Sequence, residues 1–161
     1  MSDIQQHQDE LGQLLNQIQG VEDLVVQVKE AQLPEQPREL YYGNREYKRH
    51  LIINEATKPA HMRHNLSRLL EKRGTQMLFR LREGNGKAVY LVGVEDNGRT
   101  DKGLTYEEFR TSLVTFLRIT ESAKIRINKL VVYKWLYDLQ HEYRYIFIAR
   151  MSKPDLEEII V

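Results

Sequence analysis

Residues 75–98 read TQMLFRLREGNGKAVYLVGVEDNG, and the fold turns on how this stretch is parsed. Its first part, to Glu83, has the pattern of an amphipathic helix, which Gly84-Asn85-Gly86 ends. Ala88 to Val94 is then apolar on both faces of a period-two pattern, the mark of an interior strand. Glu95-Asp96-Asn97-Gly98 closes it with strong tight-turn chemistry, because Asn and Gly tolerate positive φ. Helix, strand and turn follow one another with little surplus chain.

Upstream, Pro59 suits the first position of a helix running to Glu83, with Met62, Leu66, Leu69 and Leu70 on one face. His61, His64, Arg68 and Lys72 occupy the opposite one. Before it, residues 41–53 (YYGNREYKRHLII) alternate basic with aromatic and aliphatic residues and are expected as a strand. Downstream, a short strand returns from the turn as far as Leu104. Thr105 and Glu108 form a capping box that opens a helix ending near Ala123. Residues 125–137 and 143–151 alternate as the two arms of an antiparallel hairpin.

The expected architecture is therefore α+β: a two-layer sandwich with a mixed sheet, order β-α-β-β-α-β-β, and two helices on one face. An amphipathic helix should precede it. Leu11, Leu14, Ile18, Val21, Val25 and Val28 alternate steps of three and four, which is heptad spacing, although Gly12 and Gly20 weaken it. The division is then 1–37 for this leader and its Leu33–Pro37 linker, 38–154 for the body and 155–161 for a tail.

The 161 residues and 41% hydrophobic content suffice for one core without a metal or disulfide staple, and there are no cysteines. No apolar run approaches the ~18 residues that span a bilayer, and the start lacks the basic and apolar regions of a signal peptide, so a cytoplasmic setting is expected. The net charge of +1 hides an asymmetry. Residues 1–43 hold eight acidic against two basic residues, net −6, leaving 22 basic against 15 acidic, net +7, in the rest. A basic body points to an anionic partner such as RNA or the ribosome, the ordinary alternative being a solvated surface.

Arg45, Lys48 and Arg49 flank Tyr47, Arg63, Arg68, Lys72 and Arg73 lie on the predicted helix, and Arg80, Arg82 and Lys87 follow around the glycine turn. Such clustering is what phosphate binding requires. GxxxxGK[ST], GxGxxG and GxSxG are all absent, and no cofactor or metal is expected. His61 and His64 have no matching carboxylate and stand among arginines. Glu95 and Asp96 read as turn residues before active-site ones. The N-terminal heptads offer a second surface, for a protein partner.

With Glu46-Tyr47-Lys48, the helix end TQMLFRLREG and the turn GKAVYLVGVEDNG quoted, the chain resembles the region that precedes the GTPase domain in the GTP-binding protein 1/2 family, relatives of the elongation-factor translational GTPases. The likeness covers roughly residues 42–150 and implies a non-catalytic accessory module working around translation, the ribosome or RNA. The family's P-loop has no counterpart here, so GTP hydrolysis is not implied. A more distant resemblance, to the AlbA-like domain of the Schlafen group, implies a metal-dependent ribonuclease using Glu46 and Asp96. Tyr41 stands where that pattern has a second glutamate.

Overall fold

A computed structural model describes residues 11–14, 24–53, 60–62, 65–138 and 141–153. One mixed sheet has the strand order β1-β4-β5-β3-β2. The strands are β1 Val25–Lys29, β2 Arg45–Lys48, β3 Lys87–Val92, β4 Arg126–Tyr137 and β5 Glu142–Ser152. Helices α1 Leu66–Glu83 and α2 Tyr106–Ala123 pack against each other and on one face of the sheet. This is the expected α+β sandwich.

The helix-facing core is aromatic at its centre. β5 presents Tyr145, Phe147, Ala149 and Met151 to the helices, as their alternation requires. Phe109 of α2 stacks on Tyr145 with ring centroids 4.9 Å apart, and Phe116 meets Phe147 edge-on at 5.7 Å. Such pairs contribute about 0.5–1.5 kcal/mol each beyond their burial. The capping box that starts α2 is reciprocal: the Glu108 amide donates to Thr105 Oγ1 at 3.2 Å, and the Thr105 amide donates to Glu108 Oε1 at 2.9 Å. At the other end Lys124 takes the left-handed conformation that terminates the helix.

The opposite face has a smaller core of Leu33, Tyr47, Leu91, Val94 and Ile146. A strap of chain, residues 33–39, covers it. The 95–98 turn holds that strap: the Gln36 amide donates to the Gly98 carbonyl at 2.8 Å and the Glu39 amide to that of Asp96 at 2.9 Å. Thr100 Oγ1 donates to the Leu33 carbonyl at 2.6 Å, and the Tyr47 hydroxyl to that of Pro37 at 2.7 Å. The Pro-rich segment expected as a linker thus packs on the sheet.

Several expectations are corrected. Residues 25–29 form β1, paired in parallel with Lys129–Tyr133 of β4, and are not part of a leader helix. The β-branched Val25, Val26 and Val28 favour that pleated ladder over a helix weakened by glycine. Residues 11–14 are helical and Leu11 is buried in the main core; residues 1–10 and 15–23 of the predicted helix lie outside the described residues. No strand returns after the turn, and Leu104 makes only an isolated bridge to Tyr145. The reason is that β3 already has β5 on one edge and β2 on the other. The element order is accordingly β-β-α-β-α-β-β.

The 41–53 strand shrinks to Arg45–Lys48. Beyond it the chain turns towards α2, where the Leu51 amide donates to Ser112 Oγ at 3.0 Å. Helix α1 begins at Leu66, after a 3-10 turn at Ala60–Met62, because Asn65 is its N-cap and accepts from the Ser67 amide at 2.8 Å. Leu66, expected on the apolar face, is exposed, and the buried positions are Gly74, Met77, Arg80 and Leu81. Residues 54–59, 63 and 64 are outside the described set.

Gly98 stands at φ +93, and a Cβ there would collide with the Gln36 carbonyl oxygen of the strap. Gly86, at φ +92, has open space around it. Gly98→Ala should therefore lose about 2 kcal/mol or more in urea unfolding, and Gly86→Ala about 1 kcal/mol. Equal losses at the two positions would show that the strap contact contributes nothing.

Candidate nucleic-acid interface

Arg80 organises the edge of the sheet where the charged residues gather. Helical periodicity sets it on the buried side of α1 with Met77 and Leu81, and the residue is only 5% exposed. Its guanidinium forks into three acceptors: Nε to Glu46 Oε2 at 2.6 Å, Nη1 to the Gly43 carbonyl at 3.0 Å and Nη2 to the Leu40 carbonyl at 3.0 Å. The planar fork of arginine can serve these acceptors together, which a lysine ammonium could not do in the same geometry. The 40–43 loop is thereby held to α1 by its backbone, while the side chains of Leu40, Tyr41 and Tyr42 stay exposed.

Glu39 protects the outer edge of terminal strand β2, where its Oε2 accepts from the Tyr47 amide. Burial raises the pKa of its carboxyl above 4.5; the Tyr47 bond opposes that rise, and the nearby charges of Glu46 and Asp96 add to it. Glu46 and Asp96, the two residues of the ribonuclease expectation, thus share an electrostatic neighbourhood with Glu39. Glu46 is engaged structurally, by Arg80 and by Lys48 Nζ at 3.4 Å. Asp96 is exposed on the turn. Among the described residues no group of three or more His, Cys, Asp or Glu is placed to hold a metal ion.

On the face away from the helices, strand register aligns cations in a row. Arg45 stands opposite Val89, Val89 opposite Arg150, Arg150 opposite Lys129, and Lys129 opposite Val25. At about 4.8 Å between strands, Arg45 and Arg150 lie roughly 10 Å apart across the sheet, with Lys129 one strand further. Lys87, paired with Ser152, adds a cation on the same face. Arg45, Lys87 and Arg150 are exposed and Lys129 is half-buried. Among the described residues Lys87, Lys129 and Arg150 make no ion pair. Arg45 donates to Gln36 Oε1 at 2.9 Å and lies over the Tyr47 ring.

The residues expected at an RNA surface are therefore divided. Arg45 and Lys87 join the sheet-face row. Lys48 pairs with Glu46 beside α1. Arg68 and Lys72 are exposed on α1 in the helical layer. Arg49 and Arg73 are half-buried, each with one buried guanidinium nitrogen that has no hydrogen-bond partner among the described residues. Arg63 lies outside the described residues. Arg150 and Lys129 were missed. Arg150 was detectable as the polar step after Ala149 in an alternating strand, whereas a register shift between Ile127 and Lys129 disguises Lys129.

Comparison with known proteins bears out the resemblance drawn from the motifs. The chain is 35% identical over 127 residues to GTP-binding protein 2 of Homo sapiens, and likewise to that of Mus musculus. The match takes in 79% of this chain and spans 19% of the length of these curated relatives. No protein-family model matches the chain, and no solved structure does.

Two outcomes follow from this geometry. Arg80→Met should destabilise the fold by about 3 kcal/mol or more, because Glu46 keeps its charge without its main partner, and Arg80→Lys should recover only part of the loss. Equilibrium unfolding checks this, and full recovery by lysine would remove the fork from the account. Glu39 has a raised folded-state pKa, so protonation favours the native state: its contribution is present at low pH and is lost as pH rises through that raised value. Glu39→Gln keeps an acceptor for the Tyr47 amide, so its Tm should match the parent near about pH 4 and exceed it near about pH 7. A variant less stable than the parent at the higher pH contradicts the sign.

Proposed function

We propose that this chain is a non-catalytic RNA-contacting module working around translation, and that it holds the phosphate backbone on the open face of its sheet. The observation that carries this reading is the row Arg45, Arg150 and Lys129, with Lys87 beside it. Three of these four cations form no ion pair among the described residues, although the chain as a whole is nearly charge-balanced. Unpaired cations spaced across a rigid sheet suit a polyanion, since each phosphate neutralised releases condensed counterions. The similarity to GTP-binding protein 2 supports the link to translational GTPases. RNA or the ribosome is the partner this favours.

The ribonuclease alternative has less support, because Glu46 already serves Arg80 and Lys48 and a metal-binding carboxylate must be free to coordinate. No membrane partner is proposed: no described helix is long and apolar enough to cross a bilayer.

The test is equilibrium binding of the whole chain to labelled RNA over a salt series. Lys129→Glu with Arg150→Glu should weaken binding by about tenfold or more and flatten the dependence of log K on log salt by about two. Arg68→Glu with Lys72→Glu, on the helical layer, should change affinity by about twofold or less. If the helix pair carries the loss and the sheet pair does not, the interface lies on α1. If RNA does not bind at low salt, the function itself is wrong.

A further inference from the structure

Leu40, Tyr41 and Tyr42 are 56%, 97% and 67% exposed, a run of three large side chains facing water at one point of the chain. Single exposed apolar residues are ordinary, but a contiguous group at the rim of a charged surface signals a contact. The backbone beneath these rings is fixed. Arg80 binds the carbonyls on both sides of the tyrosines, at Leu40 and Gly43. Asn44 continues the anchoring, its carbonyl accepting from the Val89 amide at 2.8 Å and its side chain donating to the Lys87 carbonyl at 3.3 Å. The rings are thus presented from a held loop, which lowers the ordering cost of binding.

Beside them lies a cavity of about 270 Å³ whose lining includes Pro37, Leu40, Tyr42, Arg45 and Tyr47. Its walls are largely apolar or aromatic, and it is small for a cofactor pocket, which typically spans about 300–1,000 Å³. A single planar group suits it better. Arg45 belongs both to this cavity and to the cation row, so the aromatic loop and the row form one continuous surface.

Resting on the RNA reading above, we propose that the ligand is single-stranded RNA, with unpaired bases stacking on Tyr41 and Tyr42 and the backbone running over Arg45 towards Arg150 and Lys129. In a duplex the base faces are stacked on one another and offer nothing to a tyrosine ring, whereas unpaired bases do. An acidic peptide would answer the cations but would leave the two rings without planar partners. Two rings at one end of a row of cations offer a single strand both base stacking and phosphate contacts.

Fluorescence anisotropy with the full chain decides the matter, using unstructured oligoribonucleotides of about twelve nucleotides, duplex RNA of the same length and an acidic peptide. The single strand should bind more tightly than duplex or peptide. Tyr41→Ala and Tyr42→Ala should each weaken single-strand binding about tenfold and leave duplex binding within about twofold, while Tyr41→Phe with Tyr42→Phe keeps the parent affinity. Tyr41 is almost wholly exposed, so its replacement tests binding without disturbing the fold, and an unchanged Tm verifies this. Equal affinity for single strand and duplex, indifference to both alanine changes, or preference for the peptide overturns the inference. If both RNAs bind equally, the phosphate-binding function stands and only base stacking falls; if neither binds, both fall together.

Discussion

The fork of Arg80 is the constraint on which the functional edge of this molecule depends. A guanidinium withdrawn from water must have its donors answered and its charge matched, and here one carboxylate and two carbonyls do so. The consequence is topological. Glu46 lies on β2, Leu40 and Gly43 bracket the loop before it, and Arg80 lies on the helix that leads into β3. One side chain therefore joins a four-residue edge strand, an exposed aromatic loop and the helical layer. Short strands at a sheet margin have little pairing of their own to hold them, so this tie from α1 bears on β2 more heavily than it would on a longer strand.

The two faces of the sheet are finished by different means. Helices bury one through aromatic packing, while the other is only partly covered, by the 33–39 strap hydrogen-bonded to the 95–98 turn. The strap reaches Tyr47, Leu91 and Ile146 and leaves the row from Arg45 to Lys129 accessible. The VEDNG turn thus acts as scaffold, since its backbone groups fasten the strap that sets where the open face begins. The proposed RNA contact falls on what the strap does not cover.

Much of this was legible in the sequence wherever the signal was local. The Thr105 capping box, the helix to Ala123, the apolar β3 run and the alternating hairpin depend on neighbours within a few residues, and all are present. β1 was hidden because its ladder partners lie about a hundred residues away and its spacing also fits a heptad. β2 was overdrawn because the alternation of 41–53 continues past the point where Arg80 and Ser112 claim the chain. Arg80 itself reads in the sequence as one more cation of the phosphate-binding cluster around the glycine turn, whereas it is buried and engaged within the fold. Its position three residues after Met77 and one before Leu81 was the available sign of burial. The basic residues were found as a composition, but their division between faces needed the register of four strands.

On the proposed reading, RNA lies on the open sheet face and not on the helical layer. Ultraviolet cross-linking of bound RNA to the intact chain, with the adducts located by mass spectrometry, distinguishes the two faces. Adducts are expected at Tyr41, Tyr42 and the peptides carrying Lys129 and Arg150. Adducts confined to α1 around Arg68 and Lys72 would contradict it.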